Sequence, residues 1–491
     1  MLASAVDFLR ARSLAFAFTF AAASLLGGCV RAPLAEVRVD ASAGGPTVPR
    51  DFLGVSLEYD LVPAYLGTDA APNLVYRQLL ANLGAGTMRI GGASEDKSCW
   101  LPSGAPPKGC TYPVTPEMTR AIFATAAAVD WTVILGVNLA ANDPAAAASY
   151  VRDGVLPVAG ADHLRAIEIG NEPDIYPREG LRPSSWSEAE HRAEFLAYAG
   201  AIAQVPGGAQ LPFSGPADAS TWLADLAAFP NGVEPTLGAR LALLTVHYYA
   251  TGICGDQPMS NATIENLLSP KTAGVWRAGI ANSAQAAAST GQALQIDESN
   301  SIACGGGGPP IAAAFSSALW ALDFLFSAAQ AGARGVNLHS YGHGGYAPVH
   351  VDATAGGYAI HVRPIYYAML LFAREAAGRA LVGASVSSGA HVVAFAVAEG
   401  DGVKLFVLNE DLAAAGEVVI RSAKTLRTGD LLLLAAPSLD DLDHTQLGGA
   451  AIDPATGALS APAHAPLAPD GDGAFHVQLP VAAAAMVTLS P

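Results

Sequence analysis

Charge is scarce in this sequence. Only 14% of its 491 residues are Asp, Glu, Lys or Arg, five are lysine, and the formal net charge is −17. Nucleic acid and anionic membrane surfaces call for basic tracks that such a chain does not offer, so neither is expected as a partner. Cysteine is nearly as scarce, five in all with no CxxC spacing, and no HExxH-type spacing occurs, so neither a metal nor an organic cofactor is expected. Beyond the N-terminal region no apolar stretch reads as a membrane segment, and there are no internal repeats or long low-complexity linkers. What is plentiful is apolar side chain, 51% of residues, enough core for one large α/β domain and a smaller one.

Met1 to Cys29 reads as an export signal. Arg10 and Arg12 precede the apolar run Ser13 to Leu26, which is too short for a permanent bilayer helix, and Leu26, Gly27 and Gly28 before Cys29 resemble a bacterial lipobox. Cys29 is the expected lipidation site, the membrane being reached only through that anchor, with the chain in a bacterial cell envelope or secreted. A plain secretory signal with Cys29 as bystander is the alternative. Cys99, Cys110, Cys254 and Cys304 then form an even set in an exported chain. Of three possible pairings, the favoured one joins Cys99 to Cys110 as a local staple and Cys254 to Cys304 across two loops.

From Phe52 onward, short apolar strands alternate with Ala-rich helical stretches, the βα pattern of a parallel barrel. Eight strands can be counted, at 52–60, 87–92, 131–139, 164–172, 211–218, 241–249, 293–300 and 335–342. After Arg363 a last helix gives way to strands separated by Gly, Asp and Asn turns, a change to antiparallel β. The expected fold is α/β, a (β/α)8 TIM barrel over 51–377 with a C-terminal antiparallel β-sandwich over 378–491, which the strand-like segment 35–50 joins from the other end of the chain.

In such barrels chemistry sits at the C-terminal strand ends. Glu172 stands there after the fourth strand, in "GNEPD", and Glu298 after the seventh, in "IDESN". Alternation puts Leu294, Ile296 and Glu298 on one face and Asp297 on the other. On the sixth strand Thr245, His247 and Tyr249 share a face, and Arg89 points inward from the second. Two carboxyls amid such donors suit glycoside hydrolysis, one attacking the anomeric carbon and the other protonating the leaving oxygen. Arg89 and Tyr249 would keep Glu298 ionised, and Glu172 would hold its proton beside that charge. Asn171 would donate to the sugar 2-hydroxyl, with Gly170 and Pro173 fixing the turn between them.

These residues carry a resemblance. "RIGG" (89–92), "GNEPD" (170–174), "HYY" (247–249), "ESNSIACGGGG" (298–308), "GHGGY" (342–346) and "RPIYYAMLLFA" (363–373), in that order, make Ala35 to Pro491 resemble glycoside hydrolase family 79, the β-glucuronidases and heparanases among the clan A retaining glycosidases. The resemblance implies Glu172 as acid/base, Glu298 as nucleophile, and an exo-acting enzyme cleaving β-D-glucuronides with retention. It also implies that Gly305, Gly306, Gly307, Gly345 and Tyr346 receive the uronate carboxylate, and it aligns Glu58 with an acidic first-strand position. Ala93 departs from the pattern, with Ser94 as the candidate replacement donor. The loop carrying Trp100 is expected to close one side of the cleft, and Arg178 to reach an extended substrate. The alternatives are an endo-acting heparanase-like or hyaluronidase-like enzyme, a neutral-sugar glycosidase of the same clan, and a surface lipoprotein that binds glycans without cleaving them.

Overall fold

The eight apolar segments become eight strands because each has a helix or another strand to cover both faces. In the computed structural model they run Leu53–Glu58, Gly86–Gly91, Trp131–Val137, Leu164–Ile169, Phe213–Asp218, Leu241–Gly252, Leu294–Ala303 and Gly335–Ser340. All pair in parallel with their sequence neighbours, and the eighth closes on the first with Val336 opposite Leu53, giving the expected barrel. The structure describes residues 32–491 except 220, 253, 255–260, 305–309, 342–345 and 355–356, and the side chains of Ala161 and Ala353. The expected signal and Cys29 therefore lie outside the described residues, as do Gly305, Gly306, Gly307 and Gly345. No described helix is long and apolar enough to cross a membrane.

Local chemistry sets the helix bounds. Pro116–Val129 begins on Thr115, whose side chain accepts from Met118 N, and stops at Asp130 in the left-handed region. Glu188–Ala203 opens with a capping box between Ser187 and Glu190. Phe315–Ala331 is buried almost throughout because it lies between the barrel and the C-terminal sheet. Its Phe326 stacks on Phe395 at 4.8 Å and touches Phe406 at 4.7 Å and Phe372 at 4.9 Å, so one ring joins barrel helix to sheet.

The C-terminal strands form one sheet whose hydrogen bonding runs through ten strands, mostly antiparallel. Its inner member is the N-terminal strand Ala35–Thr47, antiparallel to Ala380–Ser388 and parallel to Gly416–Ser422. One face packs on the barrel through Phe406, Leu408 and Met486. The other encloses a second core around Val37, Leu405, Ile420 and Val487.

Two departures from regular alternation shape the site. The fourth strand ends at Ile169, so 170–172 form a turn and not the strand end that alternation suggests. In the seventh strand Ile296 pairs with Val246 and Glu298 with His247, so Asp297 is an inserted residue, a β-bulge. The expected sharing of one face by Leu294, Ile296 and Glu298, with Asp297 opposite, fails for that reason: Leu294 and Ile296 pair with Leu244 and Val246 on the face away from His247, while Glu298 and the fully buried Asp297 both turn into the barrel.

Truncating Phe326 to Ala removes the ring from a fully packed joint, and a loss of about 3–5 kcal/mol is expected. Urea unfolding of the variant against the wild type measures it.

Candidate active site

Gly170 has φ +83, and a Cβ there would come 2.7 Å from Leu139 and 2.8 Å from the Tyr176 hydroxyl, so only glycine fits. Glu172 also bends left-handed at φ 51, its N–H donating to Ala217 O at 3.1 Å, and Pro173 opens the next turn. An extended chain would send Asn171 and Glu172 to opposite faces; this bend lets both line one cavity of about 900 Å³ at the C-terminal ends of the strands.

Arg89 is the hub beneath that cavity. Fully buried, it donates from Nε to Glu168 Oε1 at 2.7 Å, from Nη1 to Glu298 Oε2 at 2.6 Å and to Ser56 Oγ at 3.2 Å, and from Nη2 to Asn171 Oδ1 at 2.9 Å. That last bond fixes the Asn171 amide with its oxygen toward Arg89, leaving Nδ2 for a ligand. Glu298 also accepts from the Tyr249 hydroxyl at 2.6 Å. Burial alone would push the Glu298 carboxyl up. His339, then His247 and Arg89, and the Tyr249 hydroxyl together outweigh burial and hold it well below the usual carboxylate range.

Across the cavity, Glu172 Oε1 meets His247 Nδ1 at 2.9 Å. Donor atoms of Glu172, His247 and Glu298 lie within 4.8 Å of one another. They are close enough to share a cation, but each already has a protein partner, and the arrangement assigns them no metal role.

The other expected residues fall as follows. Glu58 is buried, its Oε1 accepting from Ala93 N at 3.0 Å and its Oε2 from Ser94 N at 2.7 Å, so it props the loop after "RIGG" while bordering the cavity. The Ser94 hydroxyl is bonded to that same carboxylate, so Ser94 does not replace a donor at Ala93. Tyr346 lines the cavity against Tyr249, Tyr341 and His339, with ring centroids near 6 Å. Cys99 is bonded to Cys110, and Cys254 to Cys304. Trp100 does not border the cleft: it packs on Tyr150 at 5.1 Å beside a separate cavity of about 600 Å³. Arg178 and Glu179 stand at the outer edge of the main cavity.

Alternation along the eighth and fourth strands would have found two residues that the sequence reading passes over. His339, from the eighth strand, contacts Ser56 Oγ at 2.8 Å and stands 3.8 Å from Glu298. Burial pulls its ring down, but Glu298 and Glu58 raise it above the ordinary histidine value. Glu168, from the fourth strand, is the partner of Arg89. Glu95 and Asp96 carry no such signal, because they lie in the turn after the second strand. Asp96 accepts from Tyr176 Oη at 2.6 Å and from the amides of Leu139, Ala140 and Asn171, each at 3.2 Å, with burial pushing it up to about 6. Glu95 Oε1 accepts from Gly170 N at 2.9 Å, and burial with nearby Glu168 and Asp96 raises it well above a normal carboxyl.

No family model matches the chain. A β-glucuronidase of Neurospora crassa is 25% identical over 354 residues, 65% of this chain and 63% of that protein. A β-glucuronidase of Aspergillus niger is 26% identical over 340 residues, 62% of each. The match thus spans a little under two thirds of these relatives and less than the Ala35–Pro491 stretch to which the resemblance was assigned. Among solved structures, a 4-O-α-L-rhamnosyl-β-D-glucuronidase from Fusarium oxysporum 12S is similar at TM-score 0.75 and 18% identity, covering 92% of this chain and 100% of that one. A GH51 arabinofuranosidase from Xanthomonas axonopodis pv. citri follows at TM-score 0.68 and 15% identity, covering 94% and 100%. These two share the fold. The resemblance carried by the motifs is therefore borne out: the chain is a relative of the β-glucuronidases, built on a barrel and sheet common to several glycoside hydrolases.

Proposed function

We propose that the protein is a retaining exo-β-D-glucuronidase, with Glu298 as nucleophile and Glu172 as acid/base. The observation that carries this reading is the pair of carboxylates approaching within 4.8 Å in one cavity, with one of them held ionised. A separation near 5 Å suits direct attack by a carboxylate, whereas inverting enzymes leave about 6.5–9.5 Å for a water. Glu298 attacks the anomeric carbon while Glu172 passes its proton to the departing oxygen, and the resulting ester removes the charge of Glu298. Glu172, now a carboxylate, takes a proton from the water that attacks the ester, which restores both groups. Asn171 Nδ2 meets the 2-hydroxyl, where a hydrogen bond gains strength toward the oxocarbenium-like transition state.

The glucuronide substrate is inferred from the β-glucuronidase relatives and from the motifs. Gly305, Gly306, Gly345 and Tyr346 are proposed to receive the sugar carboxylate, the glycines through backbone N–H groups. Exo action is favoured because the sixth and seventh strands stay paired out to Gly252 and Ala303 and, with Cys254 and Cys304, form one side of the cavity. Arg178 is the one Arg or Lys among the described lining residues, a poor match for an endo-acting enzyme on a sulfated polymer.

The domain reading belongs to the same proposal: 1–29 as signal, 51–377 as the catalytic barrel, and 378–491 with 35–50 as its companion. Two disulfides suit an oxidising compartment. Lipidation at Cys29, giving a bacterial envelope lipoprotein, is the specific form of export proposed.

Hydrolysis of a panel of aryl β-glycosides tests the function. Cleavage of the glucuronide alone, lost in Glu298→Gln, is expected; cleavage of a neutral glycoside instead would keep the two-glutamate chemistry and overturn the substrate. Glu172→Gln should slow glycosides with poor leaving groups by about 10²–10⁴-fold, the range that general acid catalysis supplies, and strongly activated aryl glycosides far less.

Arg89→Met takes away a cation that holds Glu298 ionised. The acid limb of kcat/KM should move to higher pH, and stability at neutral pH should fall by about 3–5 kcal/mol, as when one partner of a buried ion pair is removed. The stability loss should shrink in acid, where the stranded carboxylates take up protons. Rate profiles and denaturant melts across pH measure the two effects.

A further inference from the structure

One buried acid has no part in the mechanism above. Asp297 is fully buried, and neither of its oxygens accepts an N–H or O–H from a described neighbour. Its Oδ2 stands 3.7 Å from Arg89 Nε and its Oδ1 3.6 Å from His247 Nε2, an atom equally without a hydrogen bond. Glu168 spends Oε1 on Arg89, while its Oε2 has no N–H or O–H donor and faces Asp297. Two carboxyls can hydrogen-bond to each other only if one carries a proton, so a proton on Asp297 directed at Glu168 accounts for these atoms together.

We propose that Asp297 is a positioning residue acting as a neutral carboxylic acid, giving its proton to a hydrogen bond with Glu168 and turning an uncharged oxygen toward His247, so that the ring of His247 stays aligned on Glu172. The proposal rests on the two-glutamate reading of this site. The charged groups packed around Asp297 are Arg89 from the second strand, Glu168 from the fourth, His247 from the sixth and Glu298 from its own, with Glu95 behind Glu168. Burial first, then Glu168, pushes Asp297 well above the usual carboxylate range, against a smaller pull from Arg89.

Neutrality at this position matters for the acid step. An anion facing His247 Nε2 would draw the ring toward Asp297 and away from Glu172 Oε1, whereas an uncharged oxygen leaves it aligned there. Glu168 meanwhile remains the ion-pair partner of Arg89, whose other N–H groups serve Glu298 and Asn171.

The test compares three variants. Asp297→Ala, which strands Glu168 Oε2 and His247 Nε2, should lower kcat by about 10²-fold, the order of loss that misplaced catalytic groups cause. Asp297→Asn keeps a donor for Glu168 and an acceptor for His247; it should restore kcat to within about tenfold of wild type, the worth of one imperfect hydrogen bond, with the alkaline limb of kcat/KM unmoved. Glu168→Gln should do the reverse, leaving Asp297 as an anion beside His247 and moving the alkaline limb. An Asp297→Asn enzyme as impaired as Asp297→Ala, or one with a displaced alkaline limb, overturns the proposal. So does an unmoved limb in Glu168→Gln. A readout independent of turnover is the infrared difference spectrum of wild type against Asp297→Asn at neutral pH: the band of a protonated carboxylic acid should vanish in the variant, and its absence from the difference overturns the assignment. If the band is found and the wild type cleaves no glycoside, the protonated pair stands and the glycosidase reading fails.

Discussion

One guanidinium sealed inside the barrel organises everything around it. Arg89 is surrounded by the carboxyls of Glu168, Asp297 and Glu298, with Glu95 near enough to feel its charge. A single positive charge cannot neutralise four buried negative ones, so the cluster has to hold protons as well as a cation. They settle on the carboxyls with the fewest donors, Glu95 and Asp297. Glu298, with Arg89, Tyr249 and the histidines beside it, keeps its charge. The carboxylate proposed as nucleophile is therefore set apart by its surroundings, since the four acids differ little in intrinsic chemistry.

The same logic links the two sides of the cavity. Glu298 is served from the second, sixth and eighth strands, and Glu172 from the sixth, so His247 and Tyr249, two residues apart on one strand, address different glutamates. Spacing along that strand thus helps to set the distance between the carboxylates. The turn at Gly170 supplies the rest, by ending the fourth strand early and bending Glu172 back over the cavity.

Much of this could be read from the chain. Alternating apolar segments marked all eight barrel strands, and His247 and Tyr249 line one cavity as alternation implies, whereas Glu172 and Glu298 reach it through the turn at Gly170 and the bulge at Asp297. What could not be read depends on breaks in regularity. A bulge has no composition signal, so Asp297 looked outward until its pairing partners were known. Glu95 and Asp96 follow a strand within a turn, where no period applies, and their burial is set by residues far away in sequence, such as Gly136, where a Cβ would come 1.9 Å from Glu95 Oε2. Trp100 looked like a lid because it lies in a bridged loop, but packing on Tyr150 directs it elsewhere. Glu58 was placed correctly at a strand end, and only the fold shows that its oxygens are taken by backbone amides.

The strand Ala35–Thr47 lies in the interior of the C-terminal sheet, bonded on one side to Ala380–Ser388 and on the other to Gly416–Ser422. A chain made from its N-terminus therefore produces a central strand of its last domain first, and that strand has no partners until the whole barrel has been synthesised. Its apolar residues Val37 and Val39 must wait in solution or in transient company, which makes closure of the sheet a late event with a long loop to close. Barrel and sheet are consequently not separable modules. Cutting between them would leave the sheet with a slot through its middle and two unpaired edges, a ready template for association with other chains.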